Sequence, residues 1–313
     1  MERFRFIPRR LLQAIPVVFG VTVIVFFLIH LLPGDPAQAA MGEHATAAGV
    51  AELHEKWGLD KPIWTQYLMF LDRLIHADLG DSLFYRLPVT SLVVDRIPVT
   101  LFLVAYSVVL AVAISVPLAA LAAVRPGALR DHVVRAVPLV GLGMPQFWVG
   151  IMLILLLAVR VKLFPVGNYG NGALEHLWYL FLPSLTLAIA MAPIIIRSLR
   201  ASMISVLSAD FVATARSKGL PRRSVLLRHV LRNSAIPTVT VIGVNLGYLV
   251  GGTLVVEKVF GLPGLGGLMV NSIFNRDFPV VQGASLVLAL FVVLIGLVTD
   301  IIYTILDPRV RFR

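Results

Sequence analysis

The chain has 313 residues, 58% hydrophobic and only 14% charged, whereas a water-soluble domain carries about 25% charged residues, so a soluble globular fold is excluded. Its formal net charge is +10, which the placement of the basic residues ties to membrane topology and anionic lipid headgroups and not to nucleic acid. Cysteine is absent, which removes disulfides, thiolate metal sites and cysteine nucleophiles.

A segment crossing hydrocarbon must satisfy its own backbone polar groups, so it needs roughly 20 consecutive apolar residues in a helix. Six stretches qualify, at 11–32, 99–124, 136–159, 177–196, 236–256 and 280–305. The first is preceded by Arg3, Arg5, Arg9 and Arg10 and followed by Ala37-Gln38-Ala39, a signal-peptide-like arrangement. Its apolar run of 22 residues is longer than the roughly 7–15 of a signal peptide, and Pro33 and Pro36 interrupt the approach, so it reads as an uncleaved anchor. Residues 33–98 follow as a small extracytoplasmic segment, with helical spacing at 50–59 and 63–75; a plain surface linker is the alternative. The third and fourth spans carry Pro138, Pro145, Pro183 and Pro193, which predict kinks.

Lysine and arginine near span ends are retained in the cytoplasm. Four basic residues lie in the N-terminal tail, three between spans two and three (Arg125, Arg130, Arg135), eight between spans four and five, and three at the end (Arg309, Arg311, Arg313). Residues 33–98 instead hold nine acidic and five basic residues. An all-α membrane protein with six transmembrane helices and both termini cytoplasmic fits every connection.

The connection 197–235 is the most informative segment. Its core reads Asp210-Phe-Val-Ala-Thr-Ala-Arg-Ser-Lys-Gly219-Leu-Pro221. Asp210 is expected to cap a short helix with Phe211, Val212 and Ala215 as its apolar face. Gly219 supplies a left-handed stop, and Pro221 opens a second short helix. Such a bend is a rigid knob for a soluble partner. Within the spans, polar residues are costly and mark function by default. Gln146 and Asn245 are candidates for lining a path, with an interhelical hydrogen bond as the alternative. His30 and Asp300 sit near span ends, where solvation accounts for them, and Gly247, Gly251 and Gly252 permit close packing. The outer run 260–278, with Phe260, Pro263, Arg276 and Asp277, reads as a re-entrant turn or a receptor-facing surface.

Chemistry of its own is not expected. No Gly-x-x-x-x-Gly-Lys-Ser/Thr phosphate loop occurs, so ATP hydrolysis belongs to another subunit. His54-Glu55 lacks the second histidine of a zinc protease, because position 58 is Gly. Ion-coupling carboxylates are missing from the span centres, which argues against a secondary transporter.

Pro33-Gly34-Asp35-Pro36, Leu79-Gly80-Asp81-Ser82, Thr214 to Leu220, Arg228 to Asn233, Glu257 to Gly266, Arg276-Asp277 with Val281-Gln282-Gly283, and Leu306-Asp307-Pro308-Arg309 occur in this order. In this the chain resembles permease subunits of binding-protein-dependent ABC importers, in the dipeptide and oligopeptide branch. The resemblance implies a type I importer permease fold with a five-helix core over 99–313 behind the tail and first helix, 1–32, in a bacterial cytoplasmic (inner) membrane. It places an ATPase-coupling role on Asp210, Ala213, Thr214, Ala215, Lys218, Gly219, Leu220, Arg222 and Arg223, with Ala213 standing where many relatives have glutamate. It implies as partners a homologous permease, two cytoplasmic ATPase subunits, an extracytoplasmic substrate-binding protein and membrane lipid. ATP and Mg are used by the ATPases, and no cofactor or metal is bound by this chain. Short peptides are the expected cargo, with glutathione, nickel chelates and sugars as alternatives within the family.

Overall fold

The computed structural model describes residues 6–30, 35–42 and 45–306. Pro33, Gly34, the arginines at 3 and 5, and the terminal Asp307-Pro308-Arg309 motif with Arg311 and Arg313 lie outside them. Every regular element among the described residues is a helix. In chain order these are α1 (Phe6–His30), α2 (Pro36–Met41), α3 (Ala47–Trp57), α4 (Ile63–Ile75), α5 (Val89–Val94), α6 (Ile97–Val124), α7 (Leu129–Gly143), α8 (Gln146–Leu153), α9 (Ala173–Tyr179), α10 (Phe181–Leu207), α11 (Asp210–Ser217), α12 (Arg222–Ser224), α13 (Arg232–Phe260), α14 (Leu265–Phe274) and α15 (Phe278–Leu306). Wider π-helical turns extend α8 through Ile154–Arg160 and join α12 to α13 through Val225–Leu231.

Two compact units form, residues 1–100 with 263–293, and residues 101–262 with 294–313. In the first, α4 lies against α1 through Tyr67, whose ring meets Phe19 and Phe26 and whose hydroxyl is 2.9 Å from Thr22 Oγ1. His30 is not simply solvated, because its Nε2 is 3.0 Å from Gln66 Oε1. Helix α2 starts where Asp35 accepts a hydrogen bond from the Ala37 amide at 2.9 Å and Pro36 occupies the first turn. Thr46 caps α3 in the same way, and α3 and α4 correspond to the two helical stretches read from the sequence.

Two motifs far apart in sequence meet in this unit. Asp277 is fully buried. Its carboxylate accepts from Ser82 Oγ at 2.5 Å and from the Leu83 and Phe84 amides at 3.4 and 3.3 Å. Ser82 Oγ in turn accepts from the Tyr85 amide at 2.8 Å. A buried carboxylate survives only with such a set of donors, so this network fixes the 82–85 turn to the start of α15.

The second unit is built around α10, which packs against α7, α8 and α13. The third apolar stretch is not a kinked rod. It is α7 and α8 meeting at 103°. Met144 precedes Pro145 and adopts φ −90°, ψ 131°, the extended conformation that a following proline imposes. Pro138 and Pro193 sit inside continuous helices without breaking them, and Pro183 lies in the first turn of α10. Among the described residues, four helical segments are long and apolar enough to cross a membrane: Val89–Val124, Phe181–Leu207, Arg222–Phe260 and Phe278–Ile302. The bent pair makes up to five, and Leu12–Phe27 is a shorter apolar helix.

Candidate functional site

The connection between the fourth and fifth apolar helices is much shorter than the 197–235 expected from polarity. Helix α10 continues to Leu207, and the next helical segment begins at Arg222. Charged residues such as Arg197 and Arg200 end an apolar run without ending a helix, since arginine is a good helix former. Thus the expected second short helix is the start of a 39-residue helix, Arg222–Phe260.

Helix α11 is what remains between them. Asp210 is not its cap: Ala209 holds the extended cap position without a side-chain bond, and Asp210 is the first helical residue, where its charge complements the helix dipole. The apolar face is narrower than predicted. Val212 and Ala215 are buried, but Phe211 is 45% exposed. Val212 and Ala215 enter one core with Ala122 of α6, Leu199 and Met203 of α10, and Val225 and Val230 beyond Pro221. The opposite face, with Ala213, Thr214, Lys218, Leu220, Arg222 and Arg223, is exposed.

The stop is as expected and can be assigned a motif. Gly219 has φ +76°; its amide donates to Arg216 O at 3.0 Å and the Leu220 amide to Ala215 O at 3.4 Å. This is the Schellman arrangement, in which a left-handed residue lets the chain satisfy the last helical carbonyls. Pro221, in extended geometry, then starts Arg222. Helix, left-handed turn, proline and helix form a single bend, fixed from behind by buried side chains.

A salt bridge that sequence reading missed braces the same region. Asp131, in the first turn of α7, is 1% exposed, and Arg200 of α10 donates Nε and Nη2 to its two oxygens at 2.5 and 2.7 Å. The Gly127 amide adds a third bond at 2.9 Å. Bidentate pairing of this kind is strong and geometrically specific. The signal was present in Asp131 being the sole acidic residue among the basic ones between 125 and 135. Between the end of α6 and the bend lies a cleft of about 920 Å³, lined by Arg125, Arg216, Arg222 and Arg223 over an apolar floor including Ile204 and Leu226.

Residues 115–312 match the family described as binding-protein-dependent transport system inner membrane component, and residues 3–104 match its N-terminal region family. The chain belongs to this family. It is 36% identical to the dipeptide transport system permease protein DppB of Escherichia coli K12, with 99% of each chain covered. It is 37% identical to the oligopeptide transport system permease protein AppB of Bacillus subtilis, covering 98% of this chain and 99% of the relative. The glutathione transport system permease protein GsiC of Escherichia coli O6:H1 is 38% identical with the same coverage. Among solved structures, the inward-facing MetNI methionine ABC transporter gives a TM-score of 0.57 at 19% identity, over 69% of this chain and 96% of that one. This likeness shows that the chain shares the fold of the matched MetNI chain.

In this inner membrane component the other candidate residues are dispersed. Gln146 opens α8 at the break, and its amide lies where a Cβ on Gly252 of α13 would stand, 2.7 Å from Oε1. Gly252 therefore permits a close approach, as does Gly243 beside Thr299, while Gly251 faces open space. Asn245 donates to Val241 O one turn back at 2.7 Å, a local bond rather than one between helices. Of the outer residues, Phe260 is 2% exposed and Asp277 fully buried, so these two side chains serve the interior. Pro263 and Arg276 are exposed. Among the described residues no group of three or more His, Asp or Glu side chains is placed to hold a metal.

Proposed function

We propose that this chain is a transmembrane subunit of an ATP-driven importer that takes up short peptides. It forms the path together with a second, homologous permease. Six spans, with 33–98 outside and both termini in the cytoplasm, put the Asp210–Pro221 bend on the side where ATPase subunits reside. The bend is the coupling element. Closure of two ATPases around ATP and Mg moves α11, and motion passes to the membrane through Arg222–Phe260 without an intervening flexible joint. One observation carries this reading: the Gly219 bend is exposed on one face and packed on the other against α6, α10 and the start of the next span. A lever must be gripped on one side and rigid on the other.

Exposed Ala213, Thr214, Lys218, Leu220, Arg222 and Arg223 make the contact, and Asp210 and Ala215 hold the helix behind it. Gln146 and Asn245 face the path when the partner permease is present. Pro263 and Arg276 belong to the surface that meets an extracytoplasmic substrate-binding protein. Peptide cargo is supported by relatives named for dipeptide and oligopeptide transport; glutathione, the cargo named for GsiC, is itself a short peptide.

The test is affinity purification from solubilised membrane together with the neighbouring gene products, before and after deletion of Asp210–Gly219. An ATPase and a second permease co-purify with the intact chain, and the ATPase alone is lost on deletion. Retention of the ATPase with normal peptide uptake by the deletion variant would overturn the coupling assignment.

A further inference from the structure

The first unit contains a cavity of about 220 Å³ with no role in the coupling just described. It is lined by the end of α1, by α3 and α4, by residues 78–81 and by the start of α15. Phe26, Phe70, Leu74 and Leu286 make its apolar wall. At about 30 Å³ per water molecule it has room for roughly seven waters, which suits a small solute.

The polar lining divides into groups that are satisfied and one that is not. Gln66 donates to Leu59 O and Lys61 O and meets His30. Lys56 is paired with Asp81 at 2.9 Å. Arg73, in the last turn of α4, is different: its Nε is buried with no hydrogen-bond partner. No described side chain pairs with its guanidinium. The side chain as a whole is partly exposed, but an arginine cannot shed its proton and a buried N–H without an acceptor is costly, so the site suits an anion. Asp78 uses only one oxygen, which accepts from the Gly80 amide at 2.8 Å, and leaves the other available. With Lys56 and Asp81 cancelling, the lining offers one free positive and one free negative group beside an apolar wall.

We propose that this cavity is a binding site for a small zwitterion, an amino acid or short peptide, whose α-carboxylate pairs with Arg73 and whose ammonium faces Asp78. A phosphate dianion fits less well, because it finds one free cation and a carboxylate at its side. The inference rests on the cavity alone and does not require the importer reading. It predicts binding at a site carried by this chain alone.

The experiment uses the full chain in phosphatidylcholine nanodiscs and measures binding by titration calorimetry, with thermal melting to verify folding. The probes are L-leucyl-L-alanine, its C-terminal amide, its N-acetyl derivative and sn-glycerol 3-phosphate. The free dipeptide is expected to bind, with the amide weaker by about tenfold or more, the scale of a lost charge-assisted contact. Arg73→Gln abolishes that preference, and Asp78→Asn abolishes discrimination against the N-acetyl form. No binding of the dipeptide, or a carboxylate preference unchanged in Arg73→Gln, would overturn the proposal. Arg73-dependent binding of glycerol phosphate in place of the peptide would overturn it too and assign the cavity to a lipid headgroup. Should Arg73→Gln fail to fold, the dipeptide, amide and N-acetyl series on the natural chain and Asp78→Asn still decides.

Discussion

Replacing Gly219 tests the lever most directly, because backbone and side-chain effects separate there. Its φ is +76°, and a Cβ built on it meets nothing within 4 Å. Any penalty is therefore conformational and not steric crowding. Holding an ordinary L-residue left-handed costs about 1–2 kcal/mol, with β-branched residues worst, while Asn visits this region readily. The expected order of function is Gly, Asn, Ala, Val, although Asn is bulkier than Ala. One to two kcal/mol divides the population of the correct bend by about 5–30. Affinity for the ATPase subunits, measured with the permease in nanodiscs, should fall by that factor in Gly219→Val and by only a few-fold in Gly219→Asn. Peptide-stimulated ATP hydrolysis should follow the same ranking. A ranking by side-chain volume, with Ala equal to Gly and Asn impaired, would refute the reasoning, as would full coupling in Gly219→Val.

Breaking the Asp131–Arg200 pair strands a buried charge, so Asp131→Leu or Arg200→Met alone should cost about 3 kcal/mol and lower the thermal midpoint in detergent. The double substitution should recover most of the loss; equal additive losses would contradict pairing. Asp277→Ala removes the acceptor for Ser82, Leu83 and Phe84 and should cost about 2 kcal/mol or more, seen as faster proteolysis near residues 83–87, with Ser82→Ala milder. The Asp35–His54–Asp60 cluster predicts a pH window. Hydrogen bonds that the His54 ring donates to Asp35 at 2.7 Å and Asp60 at 3.2 Å hold its pKa above the ordinary 6.5. Burial pushes Asp35 up, but the His54 contact and backbone amides outweigh it and leave the pKa below 3.8. The histidine's contribution is complete below about pH 6.5 and is lost as pH rises through its raised value. The aspartate's is complete above about pH 3.8 and is lost as pH falls through its lowered value. Thermal melts should be most favourable between these limits, and His54→Gln should flatten the alkaline side.

The sequence by itself determined the class, the apolar helices and the bend. Hydrocarbon solvates no backbone polar group, so long apolar runs are legible one residue at a time, and Gly219-Leu220-Pro221 specifies a helix stop through local dihedral preferences. Helix ends were less legible, because α10 runs on to Leu207 through residues that favour helix equally well in water and in lipid. At Met144-Pro145 proline chemistry predicts a break, but only neighbouring helices decide its angle, 103° here. Tertiary structure alone decided that Val212 and Ala215 are buried while Phe211 is not, and that Asp277 serves Ser82 instead of a surface. The pairing of Asp131 with Arg200, 69 residues away, likewise depends on how α7 packs on α10. Such contacts join residues whose sequence separation carries no local signal, and burial, not pattern, gives them their energy.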